Sequence, residues 1–199
     1  MTSPTQQQQD HKVHQVGLDE LHEELDTTPV HAAARAGWFE DLREILLADA
    51  TQVMALDKYG LTPLHWACDR GEAAIARFLL QHGADATVLE LLAYHANVLV
   101  VDYRGWAPIH GAAYNGHVGS LTALLDAGAS VVTQLTKRHE TALHVAASQG
   151  NIEAIELLLK HNSDDRNLLG IKDGDHFTAE EVAARSGFED VSRLLGMQR

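Results

Sequence analysis

The sequence predicts an all-α solenoid of stacked helix-turn-helix units with hairpin-like loops, about five units counting the caps. Three observations predict it. The stretch Thr62-Pro63-Leu64-His65-Trp66-Ala67-Cys68-Asp69-Arg70-Gly71 returns in four variants: Thr28-Pro29-Val30-His31-Ala32-Ala33, Ala107-Pro108-Ile109-His110-Gly111-Ala112, Thr141-Ala142-Leu143-His144-Val145-Ala146 and, more distantly, Thr178-Ala179-Glu180-Glu181-Val182-Ala183. A glycine follows each at the same distance: Gly37, Gly71, Gly116, Gly150 and Gly187. After the first four of these glycines comes an apolar set at helical spacing: Phe39, Leu42, Ile45 and Leu46; Ile75, Phe78, Leu79 and Leu80; Val118, Leu121, Leu124 and Leu125; Ile152, Ile155, Leu158 and Leu159.

The motif reads as the start of a short helix. Thr at the N-cap can accept from a free backbone N–H, and Pro at the first helical position gives up a donor that would be unpaired there anyway. The histidine three residues on can reach back to the cap, as Glu181 does for Thr178 in a capping box. Thr28, His31, Thr62, His65, His110, Thr141, His144 and Thr178 are therefore read as architecture. Small residues such as Ala67-Cys68 and Ala112-Ala113 let neighbouring helices approach, and the Gly ends the helix. One such helix pair cannot bury its apolar side alone, so the units must stack. These strings resemble the ankyrin repeat, whose signature T-P-L-H-x-A opens a unit of about 33 residues.

In chain order, residues 1–12 are a Gln-rich segment expected to be disordered, and 13–25 an acidic amphipathic stretch expected to cap the array. The repeat domain is placed at 26–199. Its units are 26–56, 57–87, 102–134 and 135–167, with 173–199 as the C-terminal cap, in which Phe177, Val182, Phe188, Val191 and Leu194 can face inward. Between the second and third units lies an apolar insertion, 88–101. The string from Leu79 to Val88 aligns with Leu91 to Val100, so the chain has two places to end the helix and begin the crossing loop. The insertion is expected to pack on the solenoid or to offer an apolar patch.

Four positions depart from the repeat pattern. Ala107 stands where the others carry a capping Thr, at a cost of about 1 kcal/mol. Ala142 replaces Pro, His139 sits where Gly60 and Gly105 serve the other loops, and Asn162-Ser163 replaces the Gly-Ala of Gly83-Ala84.

A formal net charge of −13 argues against nucleic acid and anionic membrane as partners. No apolar run is long enough to span a bilayer, and the N-terminus lacks the pattern of a signal peptide. The single cysteine, Cys68, suits a reducing compartment, so a cytoplasmic or nuclear protein is expected. Of thirteen histidines, four belong to the motif, and His11, His14 and His22 lack the Cys or carboxylate partners of a zinc site. No phosphate loop, nucleophile elbow or metalloprotease helix is present. The expectation is no catalysis, no metal and no cofactor.

The resemblance implies a protein partner held by the hairpin tips and the concave face of the first helices. By motif position that surface comprises Lys58, Tyr59, Leu61, Asp69 and Arg70; Tyr103, Arg104, Trp106, Tyr114 and Asn115; and Lys137, Arg138, Glu140, Ser148 and Gln149. The third unit concentrates the hot-spot residue types Tyr, Trp and Arg. Arg70, Arg104, Lys137 and Arg138 would form a positive stripe suited to an acidic segment of a partner. Two other readings stand beside this one. The protein would be a regulatory or assembly subunit, or self-associate, through 88–101; otherwise a monomer is expected. Or it would serve a small ligand or an enzyme, since Leu64 to Gly71 resembles repeats found beside acyl-CoA-binding modules, although the residues preceding Thr28 are too few for such a module.

Overall fold

The computed structural model describes residues 28–80, 96–162 and 167–198. The expected segments 1–12 and 13–25, and 88–95 of the insertion, lie outside the described residues. Among the described residues ten α-helices run in pairs: α1 (Pro29–Ala36) and α2 (Phe39–Ala48), α3 (Pro63–Arg70) and α4 (Ala73–Leu80), α5 (Pro108–Tyr114) and α6 (Val118–Asp126), α7 (Ala142–Gln149) and α8 (Ile152–His161), α9 (Ala179–Arg185) and α10 (Glu189–Met197). The first helices α1, α3, α5, α7 and α9 pack side by side, and α4, α6 and α8 form a second row behind them. The fold class read from the repeats is the one observed.

Packing explains the motif. Leu64, Ile109 and Leu143, at equivalent positions, are fully buried, as are Leu42, Ile75, Leu121, Leu124, Ile155 and Leu158 on the second helices. Each such side chain contributes about 1.5–3 kcal/mol by leaving water. The alanines between them have no side chain to hold the rows apart; Ala67, Ala112 and Ala146 are completely enclosed. Two expected core positions differ: Ile152 is 43% exposed and Phe188 37%. Phe188 still has a structural task, because its ring lies beneath Gly150, where an added Cβ would come within 2.4 Å of it.

The motif histidines do more than cap. In the second, third and fourth units Nδ1 accepts from the backbone N–H of Thr62, Ala107 and Thr141 at 3.1, 3.0 and 3.3 Å. A backbone amide only donates, so the ring proton must sit on Nε2. That proton is donated onward to the carbonyl of Trp106, Gln134 or Phe177, in the loop entering the following unit. His31 likewise reaches the carbonyls of Ala55 and Leu61. Each imidazole is thus a bolt between units. Burial lowers the proton affinity of all four rings, and that of His110 falls to about 4.

The caps follow expectation in part. Thr62, Thr141 and Thr178 accept from the backbone N–H three residues on, each at 3.4 Å. Thr28 does not cap the helix backbone; its hydroxyl lies on His31 Nδ1 at 2.7 Å. His139 leaves its turn intact by entering the left-handed region itself, at φ 59°, and His176 does the same at φ 68°.

Of the two aligned strings, Leu79, Leu80 and 96–100 are described, and Ala96 is anchored to the helix end. Its N–H donates to the Leu79 carbonyl, as Ala129 N–H does to Leu124, and both alanines are buried. Val98 packs against the core and its carbonyl accepts from Gln134 Nε2 at 2.7 Å, while Leu99 and Val101 remain exposed. Cys68 is fully buried, which pushes its thiol far above the ordinary range and suits packing rather than reactivity.

Candidate protein-interaction groove

The hairpin tips are built on acidic residues that motif reading passed over. Asp57 Oδ1 accepts from Tyr59 N and Leu61 N, Asp102 Oδ1 from Arg104 N and Trp106 N, and Asp173 Oδ1 from Asp175 N and Phe177 N, all at 2.8–2.9 Å. All three carboxylates are buried. Their signal in the sequence is the recurrence of Asp three residues before Gly60, Gly105 and His176. Thr136 holds the same place in the fourth unit, its hydroxyl accepting from Arg138 N and Glu140 N at 3.1 Å. Successive tips then join through their backbones: Tyr103 N–H to the Tyr59 carbonyl, Lys137 N–H to Arg104, and Gly174 N–H to Arg138.

These tips and the first helices enclose a groove of about 510 Å³ running from the third unit to the fifth. It gathers Arg104, Trp106, Tyr114, Arg138 and Gln149 from the expected surface, together with Ser148 and Glu140. Motif reading missed its far wall, Phe177, Val182 and Arg185, because that unit looked like a cap. Val145 and Val182 supply apolar floor. Trp106 is half-buried, its ring 5.5 Å from that of Tyr114 and 6.3 Å from that of His110.

The other expected residues fall elsewhere. Leu61 is buried, so it cannot contact a partner; its motif position points between units here, under the His31 bolt. Tyr59 and Tyr103 are exposed and pack ring to ring at 5.8 Å along the tips. Asp69 and Asn115 hydrogen-bond to each other at 3.0 Å across two units, and Asn115 also donates to the Gly111 carbonyl. Lys137 Nζ donates to the Tyr103 carbonyl and lies outside the groove lining.

The expected positive stripe is corrected by its neighbours. Arg70 lies 3.8 Å from Asp69, Arg104 Nε donates to Asp102 Oδ2 at 2.8 Å, and Arg138 reaches Asp175 at 3.2 Å and Glu140 at 3.8 Å. The groove is lined by three arginines and three acids, so it has no formal excess of charge. Among the described residues no group of three or more His, Cys, Asp or Glu side chains could hold a metal ion, and no helix is long and apolar enough to cross a membrane.

A family model for "Ankyrin repeats (3 copies)" matches residues 9–90 and 131–198, and one for "Ankyrin repeat" matches 104–137. Among curated proteins, the chain is similar to the Nuclear factor NF-kappa-B p105 subunit of Gallus gallus, 28% identical over 175 residues, which are 88% of this chain and 16% of that protein. It is 40% identical over 65 residues to the DNA-binding protein RFXANK of Homo sapiens, covering 33% of this chain and 25% of that one. It is also 40% identical over 67 residues to Acyl-CoA-binding domain-containing protein 2 of Arabidopsis thaliana, covering 34% and 19%. The chain spans a quarter or less of the length of each of these relatives.

Proposed function

This chain belongs to the ankyrin-repeat family, and from that premise we propose that it is a non-catalytic binding protein which holds a partner protein in the groove of its third to fifth units. Ankyrin repeats are generally protein–protein interaction modules. The observation that carries the specific reading is the convergence of Arg104, Trp106, Tyr114, Arg138 and Gln149 on one groove. Tyr and Trp bury much area for little lost side-chain freedom, and Arg adds a planar fork of donors, which makes these residues the usual anchors of an interface. The motif histidines are committed to holding units together, which supports a structural rather than a chemical role for them. A cytoplasmic or nuclear setting suits the single reduced thiol.

The test is a pull-down from native extract with wild type and a Trp106→Ala, Tyr114→Ala variant, both first shown to melt alike. A partner retained by wild type and lost by the variant is the expected result. A partner captured equally by both would move the interface off this groove. Exposed Leu99 and Val101 favour a second reading, a subunit that assembles through the insertion. It predicts that Leu99→Ser, Val101→Ser changes the mass measured by light scattering or loses a co-purifying subunit.

A further inference from the structure

The groove's charges balance formally, but they are not equally engaged. Its acids already have partners. Asp173 accepts from two backbone amides, Glu140 takes the Thr136 hydroxyl and lies near Arg138, and Asp175 pairs with Arg138. Two of its arginines lie over aromatic rings and, among the described residues, keep donors to spare. Among the described residues Arg104 uses only Nε, on Asp102, and its guanidinium lies over the Trp106 ring with Cζ 4.5 Å from the centroid. Arg185 lies over the Phe177 ring at 4.0 Å and makes no hydrogen bond or ion pair among the described residues. A guanidinium held over an aromatic face by cation–π attraction still has N–H donors at its edge for a ligand.

The two pairs repeat one device two units apart. Trp106 and Phe177 occupy the same place, directly before the capping position, in the third and fifth units. Val145 and Val182 line the same groove. Resting on the reading that this groove binds a partner protein, we propose that the partner segment is an extended acidic peptide with carboxylates on either side of an apolar residue. One carboxylate meets the Arg104 edge, the other meets the Arg185 edge, and the apolar residue sits on the valine floor. Guanidinium edges match carboxylates in two-point hydrogen bonding, which gives geometric selectivity as well as attraction.

The probe is a displayed library of peptides about twelve residues long, selected on the full chain, with one recovered peptide then labelled and titrated by fluorescence anisotropy. Recovered sequences are expected to carry Asp or Glu on both sides of an apolar residue. Arg185→Met, which removes no hydrogen bond within the described fold, should weaken binding about tenfold, and so should Arg104→Met. Affinity should fall between about 50 and about 300 mM NaCl. Arg185→Glu should prefer a peptide with Lys in place of one acid, an exchange that mere loss of packing would not produce. Recovery of peptides without acids, or equal affinity for Arg185→Met, overturns the acidic assignment. If such peptides are still lost on Trp106→Ala, the groove stands as the binding site and only the ligand chemistry falls. Peptides indifferent to Trp106→Ala as well, or none recovered, overturn both. Binding seen only when a phosphoserine replaces the acid reassigns the ligand to phosphate.

Discussion

The third and fourth units depart from the repeat pattern in opposite places, one at the helix cap and the other at the tip. The third has the regular tip, Asp102 with Gly105 at φ 80°, but Ala107 where a Thr should cap the helix. The fourth has the regular cap, Thr141 on His144 N, but builds its tip from Thr136 and His139. Both nevertheless form the same turn and the same bolt. A hydroxyl can stand in for a carboxylate because the turn needs only an acceptor reaching two amides. His110 can serve without a Thr because its Nδ1 takes the Ala107 N–H directly. What varies is how much each substitute contributes.

The sharpest way to break this equivalence is at the tips. Asp102→Ala strands the Arg104 and Trp106 amides and frees Arg104, so a loss of about 3 kcal/mol is expected, since hydrogen bonds to charged groups are the stronger ones. Thr136→Ala, which removes a neutral acceptor, should cost about half as much in the same urea titration. Equal losses would mean that the Asp102 charge adds nothing.

The bolts are next in size. The folded His110 ring holds a proton less readily than an unfolded one, so the unfolded state binds more protons at mildly acid pH. The stability due to the neutral ring is then complete above the unfolded value of 6.5 and is lost as pH falls towards about 4. At pH 5 the loss should be on the order of 2 kcal/mol, at about 1.4 kcal/mol per unit of pH below the unfolded value. It would be read as a fall in urea midpoint relative to pH 7.5, with a smaller fall in His110→Gln. The ring resonances of His110 should hold their neutral positions down to the same range.

The missing cap gives a smaller, favourable effect. Ala107→Thr restores what Thr62, Thr141 and Thr178 supply elsewhere, and should raise stability by about 1 kcal/mol. No gain would mean that the His110 bond already does all the capping. The smallest effect belongs to His139→Gly, which relieves a left-handed side-chain residue and should gain about 0.5 kcal/mol in a thermal melt. If the melt drops instead, the His139 side chain holds the tip in a way its backbone does not reveal.

These positions also show what could be read from the chain alone. The caps at Thr62, Thr141 and Thr178, the glycine stops and the buried faces of α4, α6 and α8 depend on neighbours within a few residues, and motif spacing locates them. The tip turns were equally local, written in the spacing of Asp57, Asp102 and Asp173, but that signal lay outside the motif and was overlooked. The histidines were legible only as caps, because their second bond goes to a carbonyl as much as 41 residues away, as from His65 to Trp106.

Of the groove, motif position located the near wall and missed the far one. Leu61 and Trp106 occupy one repeat position, yet one is enclosed and the other borders the groove. Arg104 and Arg138 look alike in the sequence, yet one keeps donors to spare and the other faces two acids. By itself the sequence determined the repeat, the helix pairs and their stacking, since these follow from local capping and apolar periodicity. Only the tertiary structure decided which side chains a partner can reach and which charges are already spent, because burial and pairing across units depend on residues that the chain brings together from different repeats.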